Sequence, residues 1–187
     1  MEKWIAVIGS PRKGENTESL VDVISDVLKT FGIDVFKYNL NFSNINTCNA
    51  CEYCISHGHC NINDDVSEII DRMKSADGVI FASPSYNYNM TAQMKALLDR
   101  TFSLNDYMDG WSSRVPDGKK AIIASTCMGK TEEYMGFTVK GMSLCLSDLG
   151  FEVIEEIPYY NTKEKRVKDD MLLREQLFSR LSPLFEK

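Results

Sequence analysis

The sequence has no long hydrophobic run. Its longest apolar stretches, Gly78–Ala82 and Ala121–Ala124, are far shorter than the roughly 20 residues that a membrane-spanning helix requires. The N-terminus also lacks a basic segment followed by an apolar core, the pattern of a secretory signal. We therefore expect a cytoplasmic protein with no membrane partner.

Runs of basic residues are equally absent. The 187-residue chain has 21 basic and 27 acidic residues, a net charge of −6, so we expect no nucleic-acid partner. Its 43% hydrophobic and 26% charged residues are typical of a globular protein rather than a collagen-like or disordered one. A chain of this length can bury roughly 70% of its unfolded surface, which predicts one domain over residues 1–187.

Strand-length apolar runs alternate with stretches of helical period along the chain. The predicted strands are Trp4–Ile8, Asp34–Tyr38, Gly78–Ser83, Ala121–Ser125 and Phe151–Ile157. The predicted helices are Thr17–Phe31, Asp65–Ser75, Thr91–Phe102, Glu133–Leu149 and Asp169–Phe185. This alternation predicts an α/β fold with a five-stranded parallel sheet, because parallel crossovers need helix-sized connections.

The loop after the first strand has the composition of a phosphate site. It leads into a helix whose first N–H groups are unpaired and carry roughly half a positive charge. The loop and helix start supply the polar and basic side chains Ser10, Arg12, Asn16, Thr17 and Ser19. Helix capping would explain one of them but not the set. The dinucleotide and Walker motifs are missing, which leaves a mononucleotide as the expected ligand.

The loop after the third strand offers a place for the ring of that mononucleotide. In a sheet of order 2-1-3-4-5, the connections from strands one and three diverge and open a crevice between their ends. Pro84 stiffens the loop, while the backbone N–H groups of Tyr86 and Asn87 can bond a polar ring edge. Ordinary packing would explain two tyrosines here, Tyr86 and Tyr88, but beside a phosphate loop they favour a bound ring.

Four of the six cysteines lie within thirteen residues, in the spacing Cys48-x2-Cys51-x2-Cys54-x5-Cys60. Two residues between successive thiolates allow a chain to curl around a cuboidal cluster, so the spacing favours one [4Fe–4S] cluster with four ligands. One alternative is a zinc site of thiolates, with or without an imidazole from His57 or His59. The other is a set of free or oxidised thiols.

Three sequence features carry a resemblance to a known family. They are Gly-Ser-Pro-Arg-x-x-x-Asn-Thr at Gly9–Thr17, Pro84-x-Tyr86 followed by Met90, Gln93, Lys95 and Asp99-Arg100, and the segment Cys48–Asp65. Over about residues 3–130 the chain resembles the NADPH-dependent FMN reductase family, and more narrowly its iron–sulfur flavoprotein branch. The resemblance implies a flavodoxin-like three-layer fold, FMN as the cofactor, and a homodimer or homotetramer.

The resemblance also implies roles for single residues. The FMN phosphate would be held by Ser10, Arg12, Asn16 and Thr17. The isoalloxazine ring would be lined by Pro84, Ser85, Tyr86 and Asn87, and closed on its other side by Ser125, Thr126 and Cys127. No side chain is expected to be catalytic, because the cofactors carry the redox chemistry.

These expectations together describe an FMN-dependent oxidoreductase. It would move electrons between a ferredoxin-like or NAD(P)H donor and a small-molecule acceptor. One alternative is an NAD(P)H-dependent FMN or quinone reductase in which the inserted cysteine-rich segment, about residues 41–63, is structural or metal-free. Another is a non-enzymatic, zinc-stabilised redox-sensing or binding module.

Overall fold

A computed structural model describes residues 2–185. Its strands are β1 (Glu2–Ile8), β2 (Ile33–Asn39), β3 (Gly78–Pro84), β4 (Asn105–Asp106), β5 (Ser112–Ser113), β6 (Lys120–Thr126) and β7 (Glu152–Tyr159). Five of them form a parallel sheet of order β2-β1-β3-β6-β7, and β4 and β5 pair separately. Counted within the main sheet, this order is 2-1-3-4-5, which confirms the predicted topology.

Helices cover both faces of the sheet. They are α1 (Asn16–Thr30), α2 (Tyr53–His57), α3 (Val66–Ser75), α4 (Ala92–Arg100), α5 (Glu132–Met135), α6 (Thr138–Asp148) and α7 (Leu173–Phe185). Buried side chains of α1 and α7 pack on one face, and those of α3, α4 and α6 pack on the other. The result is the predicted three-layer α/β sandwich. Within the described residues, no helix is long and apolar enough to cross a membrane.

The central strand β3 shows why the sequence reads as a continuous apolar run. All seven of its residues are buried, with Val79 and Phe81 in one hydrophobic cluster and Ile80 and Ala82 in the other. Because successive side chains of a strand point to opposite faces, a strand covered on both sides must be apolar throughout. The strand therefore ends inside the molecule, where its following loop can line a site.

The predicted helix Glu133–Leu149 is wrong as a single element. The chain breaks between α5 and α6 at Gly136, which has a left-handed φ of 59°. A β-carbon on Gly136 would lie 2.2 Å from the carbonyl oxygen of Tyr88, and the N–H of Phe137 donates to that oxygen at 2.8 Å. The break thus lets the loop after β3 approach the backbone closely, a contact between distant segments that helical periodicity does not reveal.

The last helix also begins later than its predicted start at Asp169. Residues Val167–Asp169 form a 3-10 turn, and Asp170 leaves the helical conformation with φ −86° and ψ 88°. The Asp170 carboxylate instead accepts hydrogen bonds from the Tyr159 hydroxyl at 3.1 Å and from the N–H of Leu172 at 3.3 Å. These bonds tie the start of α7 to the end of β7.

Candidate functional site

A cavity of about 560 Å³ lies where β1, β3 and β6 end. Eight of its ten lining residues are predicted cofactor contacts: Arg12, Asn16, Pro84, Ser85, Tyr86, Asn87, Thr126 and Cys127. The loops after β1 and β3 leave toward opposite faces at this point, so the cavity lies at the switch point of the sheet. The structure therefore brings the phosphate loop and the ring loop of the sequence analysis to one place.

Three predicted contacts lie behind the cavity wall instead. Ser10, Thr17 and Ser125 are buried, and each is engaged by the protein itself. The Ser10 hydroxyl accepts the N–H of Arg12 at 3.2 Å, and the Thr17 and Thr126 hydroxyls share a hydrogen bond of 2.8 Å. The Ser125 hydroxyl donates to the Ser83 carbonyl at 2.8 Å. In this structure these side chains shape the loops that line the cavity.

The phosphate end of the cavity combines a helix start with an unpaired cation. Arg12 is exposed and forms no salt bridge with any residue in the range 2–185. Asn16, the first residue of α1, accepts the N–H of Val167 through its side-chain oxygen at 2.9 Å. That bond leaves the Asn16 amide NH₂, the Arg12 fork and the first N–H groups of α1 as donors for an anion.

The ring end of the cavity is a tight hairpin. Asn87 and Tyr88 have φ of 50° and 66°, the geometry of a two-residue primed turn. The N–H of Tyr86 donates to the Asn89 carbonyl at 2.7 Å, so the prediction that it is free for a ring is wrong. The N–H of Asn87 has no partner among the described residues and remains the available donor.

The back wall of the cavity combines the predicted residue Cys127 with two residues that were not predicted as contacts, Met128 and Thr162. Thr162, which follows β7, donates its hydroxyl to the Cys127 carbonyl at 3.1 Å and lines the cavity with Cys127 and Met128. Burial raises the pKa of the Cys127 thiol, so it stays protonated at neutral pH. No local pattern marks Thr162, because its position depends on the chain folding back after the last strand.

The four clustered cysteines line a second concavity, of about 430 Å³. Ala50 and Glu52 are both left-handed, with φ of 54° and 58°, and they curl the chain around Cys51. The N–H of Ala50 lies 3.4 Å from the sulfur of Cys48 and donates to it. Backbone curls of this kind point successive N–H groups at anions and recur at iron–sulfur sites.

Within residues 2–185, no three His, Cys, Asp or Glu side chains converge closely enough to bind one metal ion. A cuboidal cluster takes each thiolate at a different iron, so its ligands lie farther apart than those of a tetrahedral zinc. His57 and His59 are exposed, and the His57 ring stacks on Tyr53 at a centroid distance of 3.7 Å.

Comparison with known proteins identifies the family. Residues 3–133 match the family described as NADPH-dependent FMN reductase. The chain belongs to this family. An iron–sulfur flavoprotein of Archaeoglobus fulgidus is 30% identical over 187 residues, covering 98% of this chain and 80% of that protein. Another, of Methanosarcina thermophila, is 38% identical over 102 residues, 54% of this chain and about half (53%) of its own length. These relatives place this FMN reductase family member in the iron–sulfur flavoprotein branch.

Solved structures confirm the flavodoxin-like fold of this family member. An FMN-dependent NADH-azoreductase from Bacillus anthracis, in complex with FMN, has a TM-score of 0.72 at 14% identity, with both chains fully covered. An NAD(P)H:quinone oxidoreductase from Methanothermobacter marburgensis has a TM-score of 0.68 at 16% identity, covering 97% of this chain and 94% of its own. A flavodoxin from the Archaea has a TM-score of 0.56. Fold and family together make the chain a flavin-dependent oxidoreductase.

In this FMN reductase family member, a buried ion pair adjoins the cysteines. Arg100 and Asp64 are 2.5 Å apart and both side chains are fully buried. Burial alone would raise the pKa of Asp64, but hydrogen bonds from Arg100, Asn46 and Val66 outweigh it and lower that pKa. The N–H of Val66, the first residue of α3, donates to Asp64 at 3.1 Å, so Asp64 also ties down the start of this helix. The pairing of Asp64 with Arg100 was not predicted from the sequence.

Proposed function

We propose that this flavin-dependent oxidoreductase binds FMN in the 560 Å³ cavity and a [4Fe–4S] cluster through Cys48, Cys51, Cys54 and Cys60. When bound, FMN exchanges electrons in pairs or singly and the cluster exchanges them singly, so together they would connect two-electron and one-electron partners. The protein itself binds, orients and shields these groups.

The main support for FMN is that one cavity is lined by both the predicted phosphate loop and the predicted ring loop. Its volume lies within the roughly 300–1,000 Å³ typical of cofactor sites. Arg12 and the first N–H groups of α1 would hold the phosphate, because both carry positive charge and neither has a partner in the part of the chain that the structure describes. The hairpin at Tyr86–Asn89 and the Thr126 wall would hold the ring, with the Asn87 N–H as a donor.

The cluster is supported by the chemistry and geometry of its four sulfurs. They line one concavity, the backbone curls around Cys51, and an N–H already donates to the Cys48 sulfur. Partial burial, followed by repulsion from the other three sulfurs, raises the pKa of the Cys54 thiol. A positively charged iron core would offset that repulsion and so favour the thiolate form of all four cysteines, because thiols lose their proton when they bind a metal. The names of the curated relatives agree with this assignment.

The electron partners follow from this pair of sites. We propose a ferredoxin-like or NAD(P)H donor and a small acceptor that approaches the open side of the flavin cavity. Tyr86 and Met128 line this cavity and are 44% and 71% exposed, leaving apolar surface that an acceptor ring or a second subunit would cover. A homodimer or homotetramer is therefore part of the proposal.

A second candidate is an NAD(P)H-dependent FMN or quinone reductase with a metal-free cysteine segment. The family description, NADPH-dependent FMN reductase, favours this second candidate because it names NADPH as the reductant. Mixing the FMN-loaded protein anaerobically with NADPH discriminates the two candidates. Rapid bleaching of the flavin absorbance in wild-type protein that is isolated anaerobically without iron would support the second candidate, whereas iron and sulfide in the isolated protein would support the first.

The cluster assignment is tested by anaerobic purification followed by absorption spectra and assays for iron, sulfide and zinc. Wild-type protein is expected to contain about four iron atoms per chain. Cys51→Ala should lose the broad visible absorbance and keep the flavin bands. Cys145→Ala is the matched control, because Cys145 is half-buried outside the cysteine concavity and should leave both absorptions unchanged. Zinc without iron in wild-type protein would contradict the assignment.

A further inference from the structure

The cysteine loop, defined here as residues 46–64, is held at both ends by one side chain from outside the loop. Arg100, at the end of α4, donates from one terminal nitrogen to the Asn46 carbonyl at 3.2 Å and to the Asp64 carboxylate at 2.5 Å. Its other terminal nitrogen donates to the Ile62 carbonyl at 3.2 Å. The N–H of Asn46 in turn donates to Asp64 at 2.9 Å, which completes the closure. The loop is thus closed around one guanidinium.

The Nε–H donor of this guanidinium is unused. Arg100 Nε is buried and has no hydrogen-bond partner in the described part of the chain, although buried N–H groups almost always have one. Cys60 lies two residues before Ile62, whose carbonyl Arg100 binds, so the chain carries its sulfur toward the guanidinium. Asp64 and Cys60 raise the pKa of Arg100 against the effect of burial. A buried donor left without a partner is the arrangement expected where an anionic group binds.

We propose that Arg100 is a positioning residue for the cysteine cluster, closing the loop through its terminal nitrogens and donating its free Nε–H to the sulfur of Cys60. The proposal rests on the cluster proposed above. Four thiolates make the loaded site anionic, and a cationic donor beside one sulfur offsets that charge. Hydrogen bonds to the sulfurs also help to set the reduction potential of such clusters, so Arg100 would tune the potential as well as the loop.

Lysine cannot replace arginine in this role. An ammonium group is a single point charge, whereas the planar guanidinium presents donors in a fixed fork and reaches two carbonyls and a carboxylate at once. Arg100→Lys therefore keeps the charge and loses both the fork and the Nε–H. Arg72→Lys is the matched control, because Arg72 pairs with Glu68 at 3.7 Å on the exposed surface of α3.

The first measurement needs no metal. In FMN-loaded, iron-free protein, alkylation of Cys60 is followed by mass spectrometry. Each fork contact is charge-assisted and worth roughly 1.5–3 kcal/mol, so Arg100→Lys should speed this alkylation about tenfold or more. Arg72→Lys should not change it, and Cys145 should react at the same rate in all variants. The flavin spectrum reports whether the sheet and its cavity remain folded.

The second measurement uses protein reconstituted anaerobically with iron and sulfide. The cluster of Arg100→Lys should have a more negative reduction potential than that of the wild type, because a donor to sulfur stabilises the more negative, reduced state. Arg72→Lys should match the wild type. If Arg100→Lys speeds Cys60 alkylation but leaves the cluster reduction potential unchanged, Arg100 only closes the loop and the proposal is overturned.

Two further outcomes are decisive. If Arg100→Lys does not retain FMN, Asp64→Asn replaces it, since it removes the anchor of Arg100; unchanged Cys60 alkylation in Asp64→Asn would then overturn the closing role. Wild-type protein that binds FMN but no iron would overturn the cluster, and with it donation to a bound sulfur. In that case the alkylation rates alone still decide whether Arg100 closes the loop.

Discussion

At the residue scale, the side chains that matter most are those whose charge or hydrogen-bond donors have no partner in the described part of the chain. Among residues 2–185, Arg12 beside the start of α1 has no salt-bridge partner, and the Nε–H of the buried Arg100 has no hydrogen-bond partner. Arg12 follows from the sequence, because a basic residue in a loop between a strand and a helix predicts an anion site. The partner of Arg100 does not follow from it, since Asp64 lies 36 positions away and no local pattern links the two.

Loss of the Arg12 side chain should weaken FMN binding. A charge-assisted bond to phosphate is worth roughly 1.5–3 kcal/mol, so Arg12→Ala should raise the Kd for FMN by about 10- to 100-fold. Lys13→Ala is the control, because Lys13 is exposed and does not line the cavity. Fluorescence titration measures both variants. Riboflavin, which has no phosphate, should bind Arg12→Ala and wild-type protein equally, and an equal loss for both ligands would contradict this role.

The Asp64–Arg100 pair predicts how stability depends on pH. The pKa of Asp64 is lowered in the folded protein, so its contribution is fully present above the ordinary pKa of 3.8 and is lost as the pH falls through the folded value. Breaking a buried pair costs about 3–5 kcal/mol, so Asp64→Asn should lower the free energy of unfolding by about that much at pH 7. Its deficit should shrink as acid is added. Urea unfolding from pH 7 to pH 3 measures this, and a deficit that grows toward low pH would contradict it.

At the scale of single elements, periodicity predicted the strands and most helices but not where α5 ends. All five main-sheet strands appear within one or two residues of their predicted starts and ends. Helical period alone extended one helix through Gly136, because the reason for the break is the Tyr88 carbonyl, 48 positions earlier. The same contact fixes the hairpin that lines the ring end of the cavity, so the break in the helix belongs to the site.

Substitution of Gly136 should therefore cost more than an ordinary left-handed glycine. At Gly136 a methyl group would meet backbone 2.2 Å away, whereas at Gly110, with a similar φ of 60°, nothing lies within 4 Å. Gly110→Ala should cost about 1 kcal/mol for its positive φ. Gly136→Ala should cost about 2–3 kcal/mol or more, because the Tyr88 carbonyl and the Gly136 backbone (φ 59°, ψ −132°) both exclude a β-carbon. Denaturant unfolding compares the two variants. Equal losses would show that the Tyr88 contact does not constrain the break.

At the scale of the whole molecule, the sheet order places the site. Once five parallel strands are arranged 2-1-3-4-5, the loops after the first and third strands must flank one crevice, and the sequence alone predicted this. The rest of the cavity was not predictable, because Thr162 reaches it only after the chain has passed β7 and folded back. The cavity is therefore completed by residues beyond 133, outside the region that matches the family.

Because FMN would bind only the assembled cavity, it should stabilise the whole fold. Ligand at about 100 times its Kd raises the free energy of unfolding by roughly 2.7 kcal/mol. Adding FMN should therefore raise the Tm of flavin-free wild-type protein, and should do so less for Arg12→Ala at the same FMN concentration. Thermal unfolding with and without FMN measures the shift, and a Tm that does not respond to FMN would contradict binding to the folded cavity.

The central claim is that the crevice between the ends of β1 and β3 binds one FMN. Calorimetric titration of FMN into flavin-free wild-type protein tests it most directly. We predict saturation at one FMN per chain, with riboflavin binding more weakly to the same site. Absence of FMN binding, or riboflavin binding as tightly as FMN, would contradict it.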